Sequence, residues 1–177
     1  MKKIWIPIMV VALLLLTASL AFAATPDSKN FVSPLSGAEE FPARDTLARG
    51  NAIFHSNSDD SALSYKLIVA NINNVVAAHI HCGAPGVNGP VGVTLYSGGV
   101  PGGGRTDGVL SQGTATAPDA GNGCGWMSMG DVLEAMRSGN AYVNVHTSDG
   151  VPPADTGPGD FPGGEIRGQV RVAGPSN

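Results

Sequence analysis

Glu165-Ile166-Arg167-Gly168-Gln169-Val170-Arg171-Val172 is the stretch whose reading decides the fold class. Ile166, Gly168, Val170 and Val172 fall on one side of an extended chain. Glu165, Arg167, Gln169 and Arg171 fall on the other. A period of two marks a strand with one face in a core and one in water. Residues 164–172 therefore read as a half-buried strand. Glu165 and Arg167 read as neighbours on its solvated face, able to pair with each other or a neighbour. Further back, the same test finds candidate strands at 31–36, 50–56, 62–70, 74–82, 90–96, 108–116 and 140–147. In 62–70, Leu63, Tyr65, Leu67 and Val69 alternate with Ser64, Lys66 and Ile68. Ile68 interrupts the polar side, which predicts a strand covered on both faces.

One helix is expected, over Met129–Ser138. Val132, Leu133 and Met136 share a side, Ser128 can cap the start, and Gly139 follows the end. Asp131 and Glu134 come early and Arg137 late, as the helix dipole favours. Such a short helix must be held by packing. Glycine and proline make up about a fifth of the 177 residues, and only 14% are charged. An average soluble domain carries about 25% charge. Many turn formers and few charges argue against a helical bundle or coiled coil. Eight short strands with regular turns predict one all-β domain, an antiparallel Greek-key sandwich or barrel with one short helix. Residues 97–107 read as a flexible glycine-rich turn, and 148–163 as an acidic surface loop. Phe41, Phe54, Tyr65, Trp126 and Tyr142 are most simply core.

The ends stand apart. Lys2 and Lys3, the apolar run Ile4–Leu20 and Ala21-Phe22-Ala23 have the form of a secretory signal peptide, 1–23. Residues 24–30 read as a flexible N-terminus, 31–173 as the domain and 174–177 as a tail. Cleavage after Ala23 leaves eight basic residues against 14 acidic ones, a net charge of about −6 with histidine neutral. That balance excludes a phosphate-neutralising nucleic-acid binder and an electrostatic hold on an anionic membrane. No second apolar segment is long enough to span a bilayer. The expected location is extracytoplasmic, periplasmic or secreted, and an extracytoplasmic protein partner fits such a location.

Cys82 and Cys124 are the only cysteines. An even count in an exported chain favours one disulfide, with paired metal thiolates or free thiols as the rival reading. The four histidines are His55, His79, His81 and His146. His79 and His81 sit two apart on a predicted strand, so both rings leave the same face, about 6.5–7 Å apart along the chain. Two such imidazoles can converge on one ion. In 140–147, Tyr142, Asn144 and His146 share a face while Ala141, Val143 and Val145 take the other. If the apolar set lines the core, His146 turns outward in the same sense as His79 and His81. The set His79, His81 and His146 is a candidate site for copper or zinc. A His-x-His pair on a wet sheet face that binds nothing is the plain alternative. Parity turns Cys82 away from the two rings, which suits a bridge to Cys124. His55, beside a turn, reads as an ordinary exposed residue. No Gly-x-Ser-x-Gly elbow, phosphate loop or dinucleotide fingerprint is present, so no catalytic residue is assigned.

Taken in order, the motifs resemble the CHRD domain, the module named after chordin. Leu35-Ser36-Gly37-Ala38-Glu39-Glu40-Phe41-Pro42 is similar to its opening L-x-G-x-x-E-x-P, and Gly50-Asn51-Ala52-Ile53-Phe54 to its next strand. Ala78-His79-Ile80-His81, with Gly83, Gly86 and Asn88-Gly89-Pro90-Val91, resembles its middle motif. Ser138–Thr147 and Pro162–Gln169 resemble its closing motifs. The resemblance runs from about Phe31 to Val172. It implies an exported module, since CHRD domains occur in chordin, a growth-factor binder, and in bacterial exported proteins of unassigned role. The His-x-His strand, a late-strand histidine and a disulfide also look like the copper-zinc superoxide dismutase fold. That likeness implies copper at His79, His81 and His146. Four histidines are too few for the dismutase's dinuclear pair.

Overall fold

The computed structural model describes residues 28–174. The proposed signal peptide, residues 24–27 and the tail beyond Gly174 lie outside the described residues. Nine strands form: β1 Asn30–Ser36, β2 Arg49–Ser56, β3 Leu63–Asn73, β4 Val75–Cys82, β5 Val91–Tyr96, β6 Arg105–Ala115, β7 Ala141–Thr147, β8 Ile166–Gln169 and β9 Arg171–Val172. One helix, α1 Met129–Arg137, precedes β7. The all-β antiparallel expectation holds. The sheet runs β5-β4-β7-β8-β1-β2-β3-β6, with β9 paired to β1. Its two edges approach each other where Ser111 Oγ on β6 donates to the Leu95 carbonyl on β5 (2.7 Å). β4, β5 and β6 follow in sequence and β7 returns beside β4, which is the Greek-key order of a nearly closed barrel.

Inward-facing side chains alternate as the strand period requires. Phe31 and Leu35 come from β1, Ala52 and Phe54 from β2, Leu63 and Leu67 from β3, Ala78 and Ile80 from β4. Val143 and Val145 on β7 and Ile166 on β8 complete the barrel core. Helix α1 adds Val132, Leu133 and Met136 to this core. It starts in a capping box: the Asp131 backbone N–H donates to Ser128 Oγ, and the Asp131 carboxylate accepts from the Ser128 N–H. Gly139, at a φ of 71°, makes the turn out of the helix. Ile68 on β3 is half-buried, so the outer face of that strand is only partly covered.

Several expectations give way. The last strand is two pieces, Ile166–Gln169 paired to β7 and Arg171–Val172 paired to β1, separated at Val170, whose N–H still donates to the Ala141 carbonyl of β7. The second face of this last strand is wet only at its far end, where Arg171 is exposed. Glu165 and Arg167 are both buried, since the loops 37–46, 83–90 and 157–164 fold over that side of the sheet. They do not pair with each other: Glu165 accepts from Thr46, Thr147 and the Gly159 N–H, and Arg167 donates to loop 83–90. Phe41 is 60% exposed rather than core, because the turn at Gly37–Glu39 aims its neighbour Glu40 inward. Of the segment 24–30 only residues 28–30 are described, where Lys29 bonds Asp60 and Asn30 opens β1. The loop 148–163 is not all surface, as Asp160 and Phe161 are buried. The glycine-rich stretch 97–107 ends inside β6. Among the described residues no helix is long and apolar enough to cross a membrane.

Candidate metal centre

β4 lies between β5 and β7, and the β4–β7 register sets His79 opposite Asn144, His81 opposite Tyr142 and Ala77 opposite His146. Side chains on one face of an antiparallel pair meet directly or on the diagonal. The three rings therefore converge: centroids lie 5.6 Å apart for His79–His81, 5.0 Å for His79–His146 and 5.8 Å for His81–His146. One ring nitrogen from each lies within 4.8 Å of the others, the only such group of three or more among the described residues. His55 and Glu165 are not members of it. His55, on β2, bonds Asn30 Oδ1 instead.

The hydrogen bonds fix which nitrogen of each ring faces the centre. His81 Nδ1 contacts the Gly89 carbonyl (3.0 Å) and His146 Nδ1 the Pro162 carbonyl (2.8 Å). A carbonyl can only accept, so both Nδ1 atoms carry the proton and both Nε2 atoms are bare in the neutral ring. His81 Nε2 is buried with no partner. His146 Nε2 stands 3.1 Å from His79 Nδ1, which must be the donor in this pair. Burial pushes the His79 and His81 imidazoles down to about 4, and their neighbouring rings push the same way. Burial also lowers His146, against the pull of the Pro162 carbonyl. All three rings are neutral near pH 7, the state a metal requires.

A second layer holds these rings in place. The Tyr142 ring is stacked on His81 (centroids 4.8 Å, planes 10° apart), and the Arg167 guanidinium lies 3.4 Å from its centre. Tyr142 on β7 lies between His81 on β4 and Arg167 on β8, so the three form a stack across three strands. Arg167, 1% exposed, donates to the Ala84 and Val87 carbonyls and to Asn88 Oδ1. It thereby clamps the loop whose Gly89 carbonyl orients His81. Tyr142 is buried as expected, but on the site side of the sheet rather than in the barrel core. Cys82, facing away from the rings, is bonded to Cys124 with Cα atoms 5.7 Å apart.

Beside Arg167 lies a polar pair that the sequence reading passed over. Asn144 (3% exposed) donates through Nδ2 to Glu40 Oε2 at 3.3 Å, and Glu40 is 7% exposed. Burial raises the Glu40 carboxyl to about 7, against the pull of Arg167 and Arg44. Signals for both existed: Glu40 is the acid of the opening motif, and Asn144 shares strand parity with His146. Glu40 and the imidazoles act on stability with opposite signs. An imidazole titrating near 4 folded and 6.5 unfolded adds stability that is complete above 6.5 and lost as the pH falls toward 4. Glu40, near 7 folded and 4.5 unfolded, adds stability that is complete below 4.5 and lost as the pH rises through 7. The metal-free protein should thus lose stability on acidification between about 6.5 and 4.5, with Glu40 offsetting about one imidazole's share, and Glu40→Gln should lose it more steeply. Urea melts across that window check this; equal slopes in the two proteins would contradict it.

The CHRD domain family model matches residues 31–170, a range that contains every residue of this site. No curated protein and no solved structure matches the chain. With the match extending from β1 to the end of β8, over most of the sequence, the chain belongs to the CHRD domain family.

Proposed function

We propose that this CHRD domain is an exported protein that binds one copper or zinc ion through His79 Nδ1, His81 Nε2 and His146 Nε2. The observation that carries the reading is the convergence of three neutral ring nitrogens from two strands. Two imidazoles bound tetrahedrally to one ion at ~2.0–2.1 Å have their nitrogens about 3.3–3.4 Å apart. His79 Nδ1 and His146 Nε2 already stand at 3.1 Å, and His81 Nε2 needs a small ring movement to join them. Taking up the ion moves the His79 ring proton from Nδ1 to Nε2, with no change in charge. Three imidazoles leave a fourth position open and suit Cu(II) and Zn(II), copper binding the tighter. Export is supported by the leader-like residues 1–23 and by the disulfide, a bond that persists in oxidising compartments.

Metal titration of the tag-free chain 24–177 tests this. The expected uptake is one ion at micromolar concentration. Four-ligand zinc sites contribute ~10–16 kcal/mol, so deleting one ligand costs about 3 kcal/mol, on the order of a hundredfold in affinity. His79→Ala and His146→Ala should each show that loss, and His55→Ala none. Failure of the wild type to take up either metal ends the reading. Copper-loaded protein that leaves superoxide decay unchanged would dispose of dismutase-like chemistry alone. An interaction module is the second reading, favoured by one observation. Loops 97–104 and 148–152 touch, the Gly102 N–H donating to the Ser148 carbonyl at 2.9 Å, and both present an exposed valine, Val100 and Val151.

A further inference from the structure

Glu40 Oε1 and Asn144 Oδ1 are both buried and neither has a hydrogen-bond partner. Both are acceptors when Glu40 is ionised, and both crowd one point: a Cβ on Gly164 would lie 2.7 Å from Glu40 Oε1 and 2.6 Å from Asn144 Oδ1. A buried acceptor left alone costs about 1–3 kcal/mol, and two sharing one pocket repel each other. One proton resolves both vacancies. A carboxylic acid offers one O–H donor and one carbonyl acceptor, and a carboxamide offers the complementary pair. Asn144 Nδ2–H already donates to Glu40 Oε2.

We propose that Glu40 holds a proton shared with Asn144 Oδ1, making a two-hydrogen-bond acid–amide pair, and that a divalent cation entering the triad expels this proton to solvent. The second half rests on the metal reading above. Asn144 sits opposite His79 in the β4–β7 ladder and two residues from His146, so the pair adjoins the triad on the same sheet face. The charged groups facing Glu40 are Arg167 from β8 and Arg44 from the loop after the Gly37–Glu39 turn, and Arg44 is itself paired with Asp155 at 3.0 Å. Those two cations do not overcome burial in the metal-free protein, where burial is the largest influence on Glu40. A further two positive charges in a low-dielectric neighbourhood shift the balance toward the carboxylate. The Glu40 O–H bond breaks, its electron pair stays on oxygen and the proton leaves to buffer. The site's net charge then rises by one rather than two.

Three measurements test this. Infrared spectra of the metal-free chain at about pH 6 should contain the C=O stretch of a protonated buried carboxyl, absent from Glu40→Gln. Glutamine reproduces both hydrogen bonds, its amide N–H donating to Asn144 Oδ1, so the variant should fold. Carboxyl carbon shifts of glutamate-labelled wild type report the same protonation without any variant. Absence of a protonated carboxyl at that pH overturns the pair, whatever the metal does. Calorimetric zinc titrations in two buffers of different ionisation enthalpy should show close to one proton released per ion by the wild type and almost none by Glu40→Gln. Zinc bound without proton release overturns the coupling and leaves the triad standing. Zinc that does not bind overturns the coupling together with the metal reading, while the infrared band still decides the pair.

Discussion

Arg167→Met is expected to cost about 3–5 kcal/mol of stability, the usual penalty for removing one member of a buried charged network. Methionine keeps much of the volume against Tyr142 but donates nothing. The Ala84 and Val87 carbonyls and Asn88 Oδ1 would each lose a donor, and Glu40 would lose one of the two cations beside it. Each orphaned acceptor that stays buried costs about 1–3 kcal/mol, and loop 83–90 can recover part of this by opening to water. Opening has its own consequence, because the Gly89 carbonyl in that loop holds His81 Nδ1. Groups that orient a metal-ligating histidine typically change affinity by about 10–100-fold. Urea melts should therefore show a large fall in midpoint, and metal titration a weaker but still single site. Arg167→Lys should not rescue, since one ammonium cannot stack on the ring and reach three acceptors at once. A loss below about 1 kcal/mol would mean that the loop is held by Tyr142 and Gln169 rather than by the arginine.

The same arginine shows what the amino-acid pattern can and cannot disclose. Alternation along Ile166–Val172 separates two faces, but it does not say whether loops will cover the polar one. Three loops do, and the face expected to be wet carries Glu165 and Arg167 in full burial. Their chemistry is local to the fold: each is satisfied by backbone and side-chain groups up to 119 residues away, a distance no periodicity reports. The strands themselves were legible because period two needs only neighbours. The helix was legible because its cap, Ser128, and its terminator, Gly139, lie at its ends. Parity correctly put His79 with His81, and Asn144 with His146, on common faces. What brought these two sets together is the β4–β7 pairing, a non-local contact made through the Greek-key crossover. Tyr142 illustrates the remaining gap. A large aromatic suggests core, and burial follows, yet its parity with His146 was the better guide to which side of the sheet it occupies.

Cys82→Ser with Cys124→Ser should lower stability by about 4 kcal/mol, the chain-entropy value for releasing a 43-residue loop in the unfolded state. The bridge joins the end of β4 to the segment leading into α1, so its loss acts on two regions. One is the strand that carries His79 and His81. The other is the loop 116–128, otherwise fastened by the Asp119 N–H to the Gly92 carbonyl and by the Asp119 carboxylate to Thr94. Metal stoichiometry separates a structural bridge from thiolate ligation. Cys82 points away from the three rings, so the double serine variant should still take up one ion, with a modest loss of affinity through the Pro90 carbonyl that both sulfurs adjoin, next in the chain to the Gly89 carbonyl that holds His81. Loss of the ion altogether would assign the thiols to the metal. A variant as stable as its parent would show instead that Asp119 and Trp126 hold the 116–128 segment without help, and that closing the loop restricts the unfolded chain far less than its length implies.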